Sequence, residues 1–387
     1  MIKSKFTLLS LILISLFYNC AANKIPHTPL AKDIKAIAEK VANWQIETFE
    51  DMGKYRALPP LEKRKKWHHR NRYHDLDWTT ATLYTGMYEF SKISDDKKYT
   101  KWLLDIGNRN DWKLFKRVYH ADDHAVGQFY LNLYKDSKNE TMIHPTQNRF
   151  DSIINSEKGQ KFLWHWSDAL FMSPPVWARL ANITKNSKYL EFMDRQYHKT
   201  YNKLWDKEAQ LFFRDKSYFD KTEKNGKHIF WSRGNGWVFG GLALIIPELP
   251  QNWEGKSFYI HLFKNIANTL KHIQREDGTW SGGLLGDEKD YPNIETSGTS
   301  FFIYGIAWGI SNGILDKTSY EPVLFKAWER LSKCVNKEGM LGYVQPVGAA
   351  PGDSYKDYTE VYGSGAFLAA SSEMYKYLIK YYPNKNK

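Results

Sequence analysis

Downstream of Asp122, apolar residues fall at Val126, Phe129, Tyr130, Leu133 and Tyr134, the i, i+3, i+4, i+7, i+8 spacing of one helical face. Asp122 or Asp123 stands ahead of this stripe, where an N-cap accepts the free N–H groups of the first turn. The arrangement recurs. Polar helix-start residues stand near Asp77, Asp122, Asp168, Arg233, Glu295 and Glu360, roughly 45 to 65 residues apart. Each opens a segment rich in Gly, Ala, Ser and aromatics, and most are followed by a second, more charged helical pattern. Six such pairs predict an all-α fold, an (α/α)6 barrel whose inner helices carry the small residues. Gly234–Ala243 and Gly363–Ala370 supply the Gly and Ala that close helix approach needs. If the inner helices all run the same way, their polar N-termini converge on one mouth. Strand signals are short: Leu211–Arg214 and Gly278–Ser281 read as hairpin pieces on one rim. No low-complexity linker interrupts residues 21–387, which predicts a single domain.

Composition changes this picture in one respect. Hydrophobic residues (42%) and charged ones (25%) are at ordinary globular levels, but 16% of the 387 residues are aromatic, with 15 Trp and 25 Tyr. Flat rings with a polar edge suit a carbohydrate cleft as well as a helical core. The net charge of +12 draws anions, whether nucleic acid, anionic lipid or acidic polysaccharide. The densest basic run, Leu61–Arg72, is unaccompanied by an RNP motif, a zinc module or a recognition helix, so no nucleic-acid partner is expected. It reads as a solvated loop that attracts acidic oligosaccharides. At the N-terminus Lys3 and Lys5 precede the apolar run Phe6–Phe17, too short to span a membrane, and Cys20 follows directly. Residues 1–20 therefore read as a signal peptide with Cys20 as a lipidation site. The expected location is exported: periplasmic, or anchored to the outer membrane. Cys334 then stands alone, unable to form an intramolecular disulfide, on an amphipathic helical pattern.

Three clusters carry the candidate chemistry. In Trp164–Trp177, Asp168 lies near Trp166, Phe171 and Trp177, and apolar neighbours favour the protonated carboxyl that a general acid needs. Pro174 and Pro175 require either a helix starting at Pro174 behind Ser173 or a kink. In His120–Gln128, Asp122 and Asp123 supply a second carboxylate, and two neighbouring carboxylates push their proton affinities apart to give one acid and one base. His120 and His124 have metal-pair spacing but lack a third ligand in a recognisable motif, so no metal is expected. In Ser232–Trp237, Arg233 offers a planar fork for a carboxylate, the glycines permit close approach, and Trp237 follows one turn later to stack on a ring.

The ordered set Tyr-His-Ala-Asp-Asp-His-x-x-Gly-Gln, Asp-Ala-Leu-Phe-Met-x-Pro-Pro-x-Trp-Ala-Arg-Leu, Arg-Gly-Asn-Gly-Trp and Gly-Ser-Gly-Ala-Phe-Leu resembles glycoside hydrolase family 105, the unsaturated rhamnogalacturonyl and glucuronyl hydrolases. The resemblance covers nearly all of the mature chain. It implies an (α/α)6 barrel needing no metal or other cofactor, with Asp168 as catalytic aspartate and Asp122 or Asp123 as the second. Trp166, Arg233 and Trp237 would bind substrate, with His124 beside them. One departure is visible: where some members carry His after a Leu-Phe-Tyr run, this chain has Leu211-Phe-Phe-Arg214. The implied substrate is the 4,5-unsaturated uronic acid that a polysaccharide lyase leaves at a non-reducing end, in fragments of ulvan or of rhamnogalacturonan. The charge of +12 leans toward the sulfated polymer, ulvan. A glycosidase acting on saturated sugars and a non-catalytic glycan-binding lipoprotein are the alternatives from other classes.

Overall fold

The computed structural model describes residues 28–58 and 70–385. The signal-peptide reading, Cys20 and most of the basic run fall outside those residues. Twelve α-helices of eleven residues or more lie among them: α1 Ala31–Glu47, α2 Trp78–Ser91, α3 Lys98–Arg109, α4 Gly127–Ser137, α5 His144–Ile154, α6 Pro174–Thr184, α7 Ser187–Leu204, α8 Ser232–Ile245, α9 Lys256–His272, α10 Thr296–Ser311, α11 Lys317–Ser332 and α12 Val361–Tyr381. The even-numbered helices touch in the cyclic order α2, α4, α6, α8, α10, α12 and back to α2, with odd-numbered helices packed outside them. This is the expected (α/α)6 barrel.

The two rings differ because their sequences do. Every residue of α8 is buried, as is α10 from Thr296 to Ile310, so these helices are enclosed on all sides. In α3 only Tyr99, Leu103, Ile106 and Gly107 are buried, a single stripe turned inward with charge outside. Where α2 crosses α12, a Cβ on Gly86 would run into the Gly365 backbone, and one on Gly365 into the backbone of Thr82 and Leu83. Close approach, rather than turn geometry, requires glycine there.

Three local expectations are corrected. The α4 stripe is wider than one face: Gln128, Leu131 and Asn132 are also buried, while Tyr134 is only half-buried. Neither Asp122 nor Asp123 caps that helix, because both lie in a 3-10 turn, Ala121–His124, and Val126 occupies the N-cap position. Leu211–Phe212 does pair antiparallel with Trp205–Asp206. Gly278–Ser281, by contrast, is a buried segment without strand structure that leaves the preceding turn through Gly278 at φ +92°, with the Trp280 indole donating to the Leu270 carbonyl. Of the two options at Pro174, the helix-start option holds. Ser173 precedes it without capping; its hydroxyl is used by His124 and Trp177 instead.

Candidate active site

The starts of the inner helices gather polar groups at one end of the barrel. Asp77 caps α2 through the Thr79 N–H (3.0 Å), and Glu295 caps α10 through the N–H groups of Ser297 and Gly298. Glu360 stands at the N-cap of α12 with its side chain making no cap hydrogen bond, and Asp168 precedes the short helical turn Ala169–Met172 that leads into α6. Unsatisfied N–H groups at each helix start make these positions favourable for carboxylates. Burial there is costly for charge and raises the proton affinity of Asp77, Asp122, Asp168 and Glu360.

Asp168 and Asp122 are the pair with access. Their side chains are 12% and 18% exposed. Burial holds the Asp168 carboxyl above the usual carboxylate range; Arg214, Arg233 and the Ser167 hydroxyl oppose that shift and Asp215 adds to it. Burial pushes Asp122 up to about 7, with Asp168, Asp77 and Asp123 reinforcing the rise and Arg117 opposing it. Asp122 lies 3.5 Å from His120 Nδ1 and 3.6 Å from the Arg117 guanidinium. His120 is itself pushed down to about 4 by burial and Arg117, so it faces the pair as a neutral ring. Trp166, half-buried, lies across His120 with ring centroids 4.8 Å apart and walls this side of the mouth.

The other residues expected here have different settings. Asp123 is 1% exposed and closed off: it accepts the Arg117 backbone N–H at 2.6 Å and the Arg117 side chain through Nε and Nη2. His124 is buried, with Nε2 2.8 Å from the Val118 carbonyl and Nδ1 2.7 Å from the Ser173 hydroxyl. Since the carbonyl can only accept, Nε2 carries the hydrogen and Nδ1 accepts from Ser173, which in turn accepts from the Trp177 indole. His124 is therefore a satisfied core histidine with no nitrogen left for a ligand. Trp177 is stacked between Phe150 and Phe192 rather than beside Asp168.

Arg233 is inside the barrel mouth but 1% exposed. Its fork donates to the carbonyls of Gln345 (2.7 Å) and Pro346 (2.8 Å) and lies between the Trp231 and Tyr362 rings. It holds a loop in place instead of presenting an open fork. Trp237 is equally enclosed, against Phe171, Phe301 and Trp78. Trp78 is the half-buried ring above it, stacked on Tyr362. Sequence reading missed Trp78, and it noted Arg214 only as a departure from the family pattern, without placing its Nε 3.6 Å from Asp168 Oδ2. Trp78 had a usable signal, directly following the helix-start residue Asp77; only the fold brings Arg214 to Asp168. Glu360 completes the mouth: burial pushes it up to about 7, and the Tyr73 hydroxyl donates to it at 3.0 Å.

A helical barrel whose mouth joins two protonatable carboxylates to half-buried indoles defines a glycoside hydrolase. The chain belongs to Glycosyl Hydrolase Family 88, whose description it matches over residues 37–378. It is 38% identical over 319 residues to an unsaturated 3S-rhamnoglycuronyl hydrolase of Formosa agariphila, covering 78% of this chain and 84% of that one. To the enzyme of the same name from Alteromonas sp. (strain LOR) it is 35% identical over 371 residues, 90% of this chain and 87% of that one. Among solved structures it is similar to a glycosyl hydrolase family 88 protein from Bacteroides vulgatus (TM-score 0.79, 28% identity, 90% of this chain and 100% of that one). It is also similar to a protein described as a polysaccharide lyase (TM-score 0.78, 30% identity, 90% and 98%).

Proposed function

We propose that this glycosidase removes the 4,5-unsaturated uronic acid from the non-reducing end of lyase-generated oligosaccharides, acting by hydration of the C4=C5 bond. The observation that carries the reading is the Asp168–Asp122 pair, two partly accessible carboxyls in one mouth whose burial favours the protonated form of each. The C4=C5 bond and the ring oxygen form a vinyl ether, which needs a proton donor at C4 rather than a nucleophile at C1. Asp168 delivers its proton to C4, leaving oxocarbenium character at C5. Water adds at C5 and gives its proton back to Asp168, or to Asp122 beside it. The resulting hemiketal opens to a ketone, and the hemiacetal left at C1 expels the next sugar. The carboxylate-separation rule for retaining and inverting glycosidases does not govern this sequence, because C1 is never attacked. Trp166 and Trp78 offer ring faces, with Trp237 supporting Trp78 from beneath and Arg233 fixing the 345–346 loop.

Within this class we favour ulvan-type fragments carrying a 3-sulfated rhamnose next to the uronide. The names of both curated relatives and the net charge of +12 support this choice. The proposed setting is outside the cytoplasm, behind a signal peptide ending near Cys20. The test is the ultraviolet absorbance of the C4=C5 bond during incubation with unsaturated disaccharides from ulvan and from rhamnogalacturonan. Loss with the sulfated ulvan unit is expected. Loss with only the rhamnogalacturonan unit would move the substrate to pectin, and no loss with either would overturn the activity. A rise in absorbance on intact polysaccharide would instead be lyase chemistry.

A further inference from the structure

The geometry around Asp168 includes a cation that the reaction above does not use. Arg214 sits on the rim just after Leu211–Phe212, and its carbonyl accepts the Ser167 N–H at 2.8 Å, which ties it to the segment carrying Asp168. Its Nη1 donates to Asp215 at 2.6 Å. Its Nε is buried without a hydrogen-bond partner, 3.6 Å from Asp168 Oδ2, while the side chain as a whole stays 25% exposed. A guanidinium with one edge anchored, another facing the reacting acid, and part of its side chain exposed is arranged for an anionic ligand. Arg233 cannot fill that place in this conformation, because its terminal nitrogens are held by Gln345 and Pro346.

We propose that Arg214 grips the carboxylate of the unsaturated uronide and, by being neutralised there, frees Asp168 to hold the proton it delivers. The inference rests on the functional reading above. It follows from the substrate's own geometry. The carboxylate hangs on C5, one bond from the C4 that Asp168 must reach at about 3 Å. The cation that binds this carboxylate must therefore adjoin Asp168, as Arg214 does. The charged and titratable groups facing Asp168 and Arg214 are Asp122, Asp215, Tyr218 and Arg233. In the free enzyme Arg214 favours ionised Asp168; once Arg214 is paired with the substrate, that bias is removed.

Kinetics of wild type and Arg214→Gln on the unsaturated disaccharide, as free acid and as methyl ester, sulfated and desulfated, test this directly. Arg214→Gln should raise KM for the free acid by roughly ten- to a hundred-fold. Esterification should cost the wild type a similar factor and the variant almost nothing. Arg214→Lys should restore part of the loss. The basic limb of kcat/KM should move to higher pH in Arg214→Gln, since removing the cation lets free Asp168 keep its proton longer. A preference for acid over ester that survives in Arg214→Gln would overturn the proposal. So would a loss traced to the sulfate instead of the carboxylate. If wild type turns over no unsaturated uronide, the functional reading fails by itself. Calorimetric binding of acid and ester to wild type and Arg214→Gln, both checked for folding, then decides the anchor separately: equal discrimination by the two proteins refutes it.

Discussion

Asp122 and Asp123 are chain neighbours with the same side chain, yet Arg117 saturates one and only approaches the other. That difference assigns their roles: Asp123 holds the turn together, and Asp122 shares the mouth with Asp168. Asp168→Asn should leave folding intact and lower turnover by about a hundred- to ten-thousand-fold, the usual contribution of a positioned proton donor; absorbance kinetics beside a melting curve check both halves. Asp122→Asn makes a prediction of opposite sign for stability. A carboxyl raised from 3.8 to about 7 binds more protons in the folded state, so wild-type stability declines as pH rises through that interval. The variant should melt with wild type near pH 3 and above it at pH 8. The ceiling is about 4 kcal/mol, at about 1.4 kcal/mol per pH unit. Coincident melting at both values would remove the buried charge from the account. The sequence placed a carboxylate pair here, but which of the two faces the ligand depends on a salt bridge to Arg117, and no local pattern announces that contact. His124 was misread for the same reason. Its i, i+4 relation to His120 is visible in the chain, whereas Ser173 and Val118 meet it only in the folded protein.

At the scale of elements, the inner helices bring function and packing into conflict. Their starts crowd acidic groups at the mouth, so their shafts must supply the stability. Gly86→Leu should therefore be severe: with Gly365 backbone opposite, it forces α2 and α12 apart, at a cost of about 3 kcal/mol or more. Chemical denaturation measures this, and a change under 1 kcal/mol would mean the crossing is looser than described. Helix existence was well marked by the spacing of polar starts and small-residue runs. Helix beginnings were less so. The 3-10 turn before α4 arises because Arg117 draws Asp123 away from capping, and Ser173 fails to cap α6 because His124 and Trp177 use its hydroxyl. Tertiary partners took side chains that a local reading assigns to the helix.

For the whole molecule, closing six inner helices into a ring converts scattered motifs into one site. Asp77, Asp122, Asp168, Arg233, Glu295 and Glu360 are up to 283 positions apart (360 − 77), yet each stands at or near the start of an inner strut. The repeat spacing made the ring and the common mouth readable, and the aromatic excess divided as the two uses of a ring allow. Trp237 and Trp177 went to the core, while Trp78 and Trp166 stayed at the surface of the cleft. The central claim is that protonation at C4, rather than attack at C1, breaks the glycosidic linkage. Turnover of the unsaturated disaccharide in D2O, quenched early and read by proton NMR, tests it most directly. The account predicts one deuterium at C4 of the released uronic acid, placed on a single face by Asp168. Release of the neighbouring sugar with C4 undeuterated, or with deuterium spread equally over both faces, would contradict it.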